Sequence, residues 1–285
     1  MLSEQTRNSS EQDLLSPLLK RHSVSAGVFF SGAMCGRADY PLDGAFGHIH
    51  LVRRGPLRVS KNGEAPVEIS KPSLLVFMRP VAHAIEADER VGADLVCARL
   101  SFAGAQSNPL LLGFPDQLIV PLDALDGLEP LVTHLFDEAF AMRNGHRAAV
   151  DLLVELLLIL LLRHCIATRL LDEGLLAGLA DPRLARVLAA IDQAPQADWS
   201  VEALADKAGM SRANFAAIFK TKLGVSPGDY VSMVRLAIAR QLLQAGRPLK
   251  LVTADVGYAS TTALSRAFQR RFGQTPRDWI AQCRS

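Results

Sequence analysis

A chain of 285 residues with 49% hydrophobic and 21% charged residues is long enough for two packed domains and too apolar for a disordered one. Its net charge of +2 conceals an asymmetry, because residues 181–285 carry 15 Lys and Arg against 8 Asp and Glu while residues 1–180 carry 16 against 21. A basic module beside an acidic one fits nucleic-acid binding at one end only; the longest uninterrupted apolar run, Leu156–Leu162, falls far short of the ~20 residues of a membrane span; and the scattered Cys35, Cys97, Cys165 and Cys283, without a CxxC, exclude a disulfide scaffold.

No charged-then-apolar leader opens the sequence, and the reading is a cytoplasmic protein with reduced thiols, away from membranes. Residues 1–20 are polar, with a short helix expected around Leu14–Leu19. From Gly27 to Phe102 the pattern is one of short β-type runs: Gly27–Ser31, His48–Val52, Leu57–Ser60, Val67–Ile69, Leu74–Met78 and Asp94–Phe102. Asn62-Gly63 is a hairpin signal, and Pro72 and Pro80 mark edges or turns. So many short strands imply a small antiparallel barrel or sandwich.

Within it, His48-Ile-His50 places two imidazoles on one strand face, since side chains alternate with period 2. His83 and Cys97 follow. His48, His50, His83 and Cys97 together would offer soft donors suited to Zn²⁺. They equally read as half-buried histidines hydrogen-bonded inside the barrel, with Cys97 as a small core residue. A redox role for Cys97, or for Cys35 in the glycine-rich Gly32–Gly36, is a third reading. A small organic ligand at the barrel mouth is a fourth.

A last strand is expected at Leu118–Pro121, then helices over Leu128–Asn144 and Ala148–Leu171. The second is apolar around most of its circumference and needs cover on more than one side, from its own barrel and from either a partner subunit or the rest of the chain. Residues 173–181, rich in Gly and Ala, read as a linker, and Asp181-Pro182 opens the next helix. The domains are placed at 20–172 and 181–283.

The last quarter carries one pattern written twice. Ser211, Phe215, Phe219, Gly224, Ser226-Pro227 and Asp229-Tyr230 recur as Ser260, Leu264, Phe268, Gly273, Thr275-Pro276 and Asp278-Trp279. Each copy reads as a short helix, a glycine turn (Gly209, Gly257) and a second helix with one apolar face. That is a helix-turn-helix, whose second helix can lie in the DNA major groove. A long helix from Pro227 to about Ala245 joins the copies.

Residues about 183–283 thereby resemble the DNA-binding domain of AraC/XylS-type transcription regulators. The resemblance rests on Ala205, Gly209-Met-Ser211, Phe215, Phe219, Gly224, Pro227, Tyr230, Arg235-Leu236, Ala239, Leu242-Leu243, Val256-Gly-Tyr258, Ser260, Phe268, Phe272-Gly273 and Pro276. Thr253 and Leu264 depart from the pattern. The N-terminal region resembles the cupin-type sensor domain fused to such regulators, through His50 to Gly55, Pro80 to His83, Val96-Cys97 and Asn108-Pro-Leu-Leu111. Some regulators of that branch respond to reactive chlorine species through cysteine, and Cys97 matches a cysteine position there.

The resemblance implies an α+β chain: an N-terminal cupin-like antiparallel β-barrel followed by helices, then an all-α C-terminal domain with two helix-turn-helix units. It implies a sequence-specific regulator, mostly activating in this family, with promoter DNA, RNA polymerase and a second copy as partners. The alternative is a metal-dependent cupin enzyme tethered to DNA. Against it, the run after His48-Ile-His50 is Leu51-Val52-Arg53-Arg54, without the carboxylate ligand of catalytic cupins, and no catalytic constellation is legible. On the first reading helix the groove-facing candidates are Ser211, Arg212, Ala213, Asn214, Ala216 and Ala217, with Lys220 and Lys222 for phosphates. On the second they are Ser260, Thr261, Thr262, Ala263, Arg266 and Gln269, with Arg270 and Arg271 for phosphates.

Overall fold

The computed structural model describes residues 13–21, 24–42, 46–61, 63–102, 108–125 and 127–284. They fall into two compact units, residues 22–176 and residues 177–285 joined by the N-terminal 1–21. Helix α1 (Leu15–Arg21) therefore groups with the C-terminal unit and not with the domain placed at 20–172.

The first unit holds β1 (Val24–Met34), β2 (Gly36–Tyr40), β3 (Gly47–Arg54), β4 (Leu57–Lys61), β5 (Val67–Ile69), β6 (Ser73–Phe77), β7 (His83–Ala87), β8 (Ala93–Phe102) and β9 (Leu118–Pro121). They form a five-stranded sheet, ordered β1-β8-β3-β6-β9, and a four-stranded one, β2-β7-β4-β5. All pairings are antiparallel. The sequence runs located every strand except β2 and β7, which pair with each other from Gly36↔Ala87 to Tyr40↔His83. Asn62 of the expected hairpin lies outside the described residues, and Gly63 beside it has φ +77°.

Inward-facing Met34, Val52, Leu57, Val59, Leu75, Phe77, Ile85 and Leu95 fill the space between the sheets. Strands β3 and β6 are buried on both faces, so β6 reads as a continuous apolar run, while β3 carries the buried His48 and His50 on its inner face. Two helices, α2 (Glu129–Ala141) and α3 (His146–Ala167), follow the sheets. Arg53, on the outer face of β3, lies 4.5 Å from the centre of Phe136 and 5.1 Å from that of Phe140, and pairs with Asp94 at 3.2 Å. It fastens α2 to the sheet. On α3 the carboxylates of Asp151 and Glu155 accept the backbone N–H of Val28 at 2.7 Å and of Ala26 at 3.1 Å. Strand β1 is an edge, and these carboxylates occupy donors that would otherwise invite another strand. The adjacent face of α3 leaves Leu152 65% and Leu156 43% exposed.

Near the end of this unit two pieces of main chain touch. A Cβ on Gly113 would meet the carbonyl of Glu173, and one on Gly174 would meet that of Leu112. Both glycines have positive φ, +81° and +91°. Residues 173–181, expected as a linker, contain the helix α4 (Leu175–Leu179) with Leu175, Leu176, Ala177 and Leu179 buried.

The second unit contains α5 (Pro182–Gln193), α6 (Val201–Ala208), α7 (Arg212–Leu223), α8 (Pro227–Gln244), α9 (Leu249–Asp255), α10 (Thr261–Phe272) and α11 (Pro276–Arg284). Its internal repeat is physical. Gly224 and Gly273 close α7 and α10 at φ +75° and +73°. Ser226 and Asp229 form a reciprocal cap, hydroxyl to carboxylate at 2.6 Å, and Thr275 and Asp278 repeat it at 2.7 Å. Thr253 is 5% exposed, and its hydroxyl donates to the Leu249 carbonyl at 2.8 Å, so a polar residue fits an apolar position. Leu264 is fully buried. Helix α1 buries Leu15 and Leu18, and Gln241 of α8 donates to its terminal Arg21 carbonyl at 3.0 Å. Arg21 also pairs with Asp192 of α5, the two side chains being 9% and 20% exposed.

Candidate nucleic-acid interface and barrel interior

Helix α7 buries Phe215, Phe219 and Leu223, which turns Ser211, Arg212, Ala213, Asn214, Ala217 and Lys220 outward, with Ala216 and Lys222 half-buried. Helix α10 buries Leu264, Ala267 and Phe268, which turns Ser260, Thr261, Thr262, Arg266, Gln269, Arg270 and Arg271 outward, with Ala263 half-buried. Ala217 on α7 and Thr262, Arg266 and Gln269 on α10 lie opposite the buried stripes, whereas Arg212 and Arg271 are exposed at helix ends on the stripe side.

The two starts differ. Ser260 accepts the Ala263 N–H at 3.1 Å, an N-cap bond, whereas the Ser211 side chain makes no cap bond. Arg212 pairs with Glu202 of α6 at 2.8 Å, with side chains 70% and 55% exposed. So exposed a pair stabilises little, and a phosphate or base edge can displace it.

Arg235, at the middle of α8, holds the two helix-turn-helix units in one arrangement. Its Nε donates to the Pro195 carbonyl at 2.8 Å, Nη2 to that of Ala197 at 2.8 Å and Nη1 to that of Gly257 at 3.1 Å. The first two carbonyls lie in the α5–α6 loop; the third belongs to the glycine turn of the second unit. That turn sits so close that a Cβ on Gly257 would come 2.7 Å from the Gln196 Cα. Sequence reading marked Arg235 only as part of a motif.

In the barrel, His48, His50 and His83 are 8%, 0% and 5% exposed, and Cys97 is fully buried. One carbonyl sets the direction of the bonds that join His83, His50 and Cys97. The Val81 oxygen can only accept, so His83 Nδ1, 2.7 Å away, carries its hydrogen. In a neutral ring His83 Nε2 then accepts, 3.0 Å from His50 Nε2, which donates. That leaves His50 Nδ1 to accept from the Cys97 thiol at 3.1 Å. Phe77 and Tyr40 stack on His83 at 3.8 and 4.8 Å.

Burial, reinforced by the neighbouring imidazoles, holds His50 well below the usual histidine range. Burial takes His83 down to about 4 and pushes the Cys97 thiol up to about 12. The bonds form a relay in which Cys97 and His83 sit on opposite nitrogens of the His50 ring, so His50 cannot turn one nitrogen to both at once. Among the described residues no three His, Cys, Asp or Glu side chains are arranged to hold a metal. Cys35 is exposed and Cys97 buried, both as free thiols.

Among the described residues no helix is long and apolar enough to cross a membrane. A family model described as cupin matches residues 13–167, more than half the chain, and one described as a helix-turn-helix domain matches residues 204–282. A Streptomyces lividans protein described as an AraC-like transcription regulator is 30% identical over 296 residues, covering 94% of this chain and 96% of its own. An HTH-type transcriptional regulator of Haemophilus influenzae is 40% identical over 150 residues, 52% of this chain and 50% of that one. The RCS-specific HTH-type transcriptional activator RclR of Escherichia coli is 27% identical over 260 residues, 87% of this chain and 90% of its own.

Proposed function

The chain belongs to the AraC-like, DNA-binding transcription regulators with a cupin domain, and from that premise we propose that α7 and α10 enter successive major-groove faces of promoter DNA while the barrel receives the signal. The observation that carries this reading is the pair of outward faces on α7 and α10, belonging to one unit and braced by Arg235. Arg266 is assigned to a guanine edge and Asn214 to an adenine, while Arg212 leaves Glu202 on binding. Lys220 and Arg270 hold phosphates. In a sequence-selection experiment with purified protein, Arg266→Ala relaxes preference at one base position by about 1–3 kcal/mol. Lys220→Ala weakens all sequences alike and lowers the salt slope. Unchanged binding in both variants would refute the contact assignment.

The barrel is read as a receptor and not an enzyme, and a small organic ligand is the signal its geometry favours. The buried rings join one another and Cys97 through a relay of hydrogen bonds, and a buried thiol with its pKa pushed up to about 12 carries little thiolate at neutral pH. Promoter affinity with and without hypochlorite, in wild type and Cys97→Ser, tests the oxidant reading. The exposed Leu152 and Leu156 of α3 are assigned to a homodimer seam, checked by sedimentation of Leu152→Glu. Ligand-dependent contact with RNA polymerase in the cytoplasm completes the reading.

A further inference from the structure

We propose that the mouth of the barrel is a receptor site for a small, flat monocarboxylate, held by Arg99 between Phe29 and Phe46; this rests on the reading of the barrel as a ligand sensor. On β8, Arg99 shares a face with Cys97, two residues away. It is paired with Gly27 of β1 on one side and His48 of β3 on the other, one step along from the Cys97–His50 pair. The residues on this step therefore face the same side as the buried relay, at its exposed end.

Three features make that end a site. First, β1 shifts register between Val28 and Phe30. Such a bulge re-aims a side chain, and here it leaves Phe29 41% exposed, with its ring 6.0 Å from His48 and 5.9 Å from Tyr40. Second, Gly27 puts no side chain on the step, and a Cβ there would meet nothing within 4 Å. Third, the exposed Arg99 guanidinium lies 5.5 Å from the centre of Phe29 and 5.9 Å from that of Phe46, itself 42% exposed. Among the described residues Arg99 takes part in no ion pair.

A guanidinium flanked by rings, with no carboxylate paired to it among the described residues, presents a planar fork of donors beside apolar surface. Its geometric complement is a carboxylate. The phenyl faces beside it suit a flat apolar body. One cation matches one negative charge, which argues for a monoanion over a polyphosphate. His48 and Tyr40 form the inner wall, so an occupant bears on the rings stacked around His83.

The test is calorimetric titration of the full chain with benzoate and with benzamide, its uncharged analogue, to roughly 10 mM, a range suited to fragment-sized ligands. Benzoate is expected to bind, and benzamide at least about tenfold more weakly. Arg99→Gln and Phe29→Ala each lose about tenfold or more, with unchanged melting; Arg58→Gln on the other sheet keeps wild-type affinity. Absence of benzoate binding, equal affinity for benzamide, or wild-type affinity in Arg99→Gln would overturn the site. Promoter binding on the same samples separates the failures. Benzoate bound through Arg99 without any change in promoter affinity supports the site and sinks the sensor reading. Promoter binding by a protein that ignores benzoate sinks the site and leaves the regulator intact.

Discussion

Arg235→Met tests directly how the two helix-turn-helix units are held together. Methionine keeps most of the stem and removes five donors. Three of the lost contacts are charge-assisted bonds to carbonyls, at 2.8, 2.8 and 3.1 Å. Bonds to a charged group contribute about 1.5–3 kcal/mol each. Arg235 is half-buried, so the freed carbonyls regain water, and contacts of a single side chain are not additive. The expected loss is about 3 kcal/mol, below the simple sum of about 4.5–9 kcal/mol. Urea unfolding read by tryptophan fluorescence measures it cleanly, because the two tryptophans, Trp199 and Trp279, both belong to the C-terminal unit. Arg235→Lys retains the charge but cannot fork to three carbonyls, so it recovers a minority of the loss. Promoter affinity falls with stability, since the spacing of α7 and α10 is no longer fixed. A loss below about 1 kcal/mol in Arg235→Met, or full recovery with lysine, would refute the clamp.

Three further outcomes follow from the same geometry. Ser260→Ala removes a cap bond and costs about 1 kcal/mol in the same urea assay, while Ser211→Ala, which removes none, stays within about 0.5 kcal/mol; equal losses contradict the difference between the two starts. Gly257→Ala combines a φ of +77° with a 2.7 Å approach to Gln196, and should destabilise the unit by more than about 2 kcal/mol; a neutral result means the loop yields. His83 is held down to about 4 in the folded barrel against 6.5 unfolded, so the unfolded chain takes up the proton first. The corresponding stability is complete above about 6.5 and declines as pH falls towards about 4. Calorimetric melting of the barrel between those limits should show this slope, flattened in His83→Gln; a pH-independent wild type contradicts it.

The C-terminal unit was the more legible because its helices answer to local rules. Glycine turns, Ser/Thr–Asp caps and apolar stripes recur at a constant offset, and each signal lies within a few residues of its effect. What escaped there is non-local: Arg235 bonds carbonyls 22 to 40 residues away, and α1 joins a unit whose other helices begin beyond residue 176. In the barrel the apolar strands were visible, whereas β2 (Gly36-Arg-Ala-Asp-Tyr40) and β7 (His83–Ala87) are five residues each with charged outward positions, too short to stand out. The shared face of His48 and His50 could be read from their spacing. The orientation of their hydrogen bonds could not, because it is decided by the Val81 carbonyl on another strand connection.

Where Gly113 passes Gly174, backbone lies on backbone with no room for a methyl group on either. This sets where the barrel unit can be cut for grafting onto a foreign DNA reader. A fusion joined before Glu173 strips the 112–114 loop of its lining, while one joined beyond Gly174 carries the crossing intact. The junction in any chimaera is thus dictated by two hydrogen atoms standing where side chains would be.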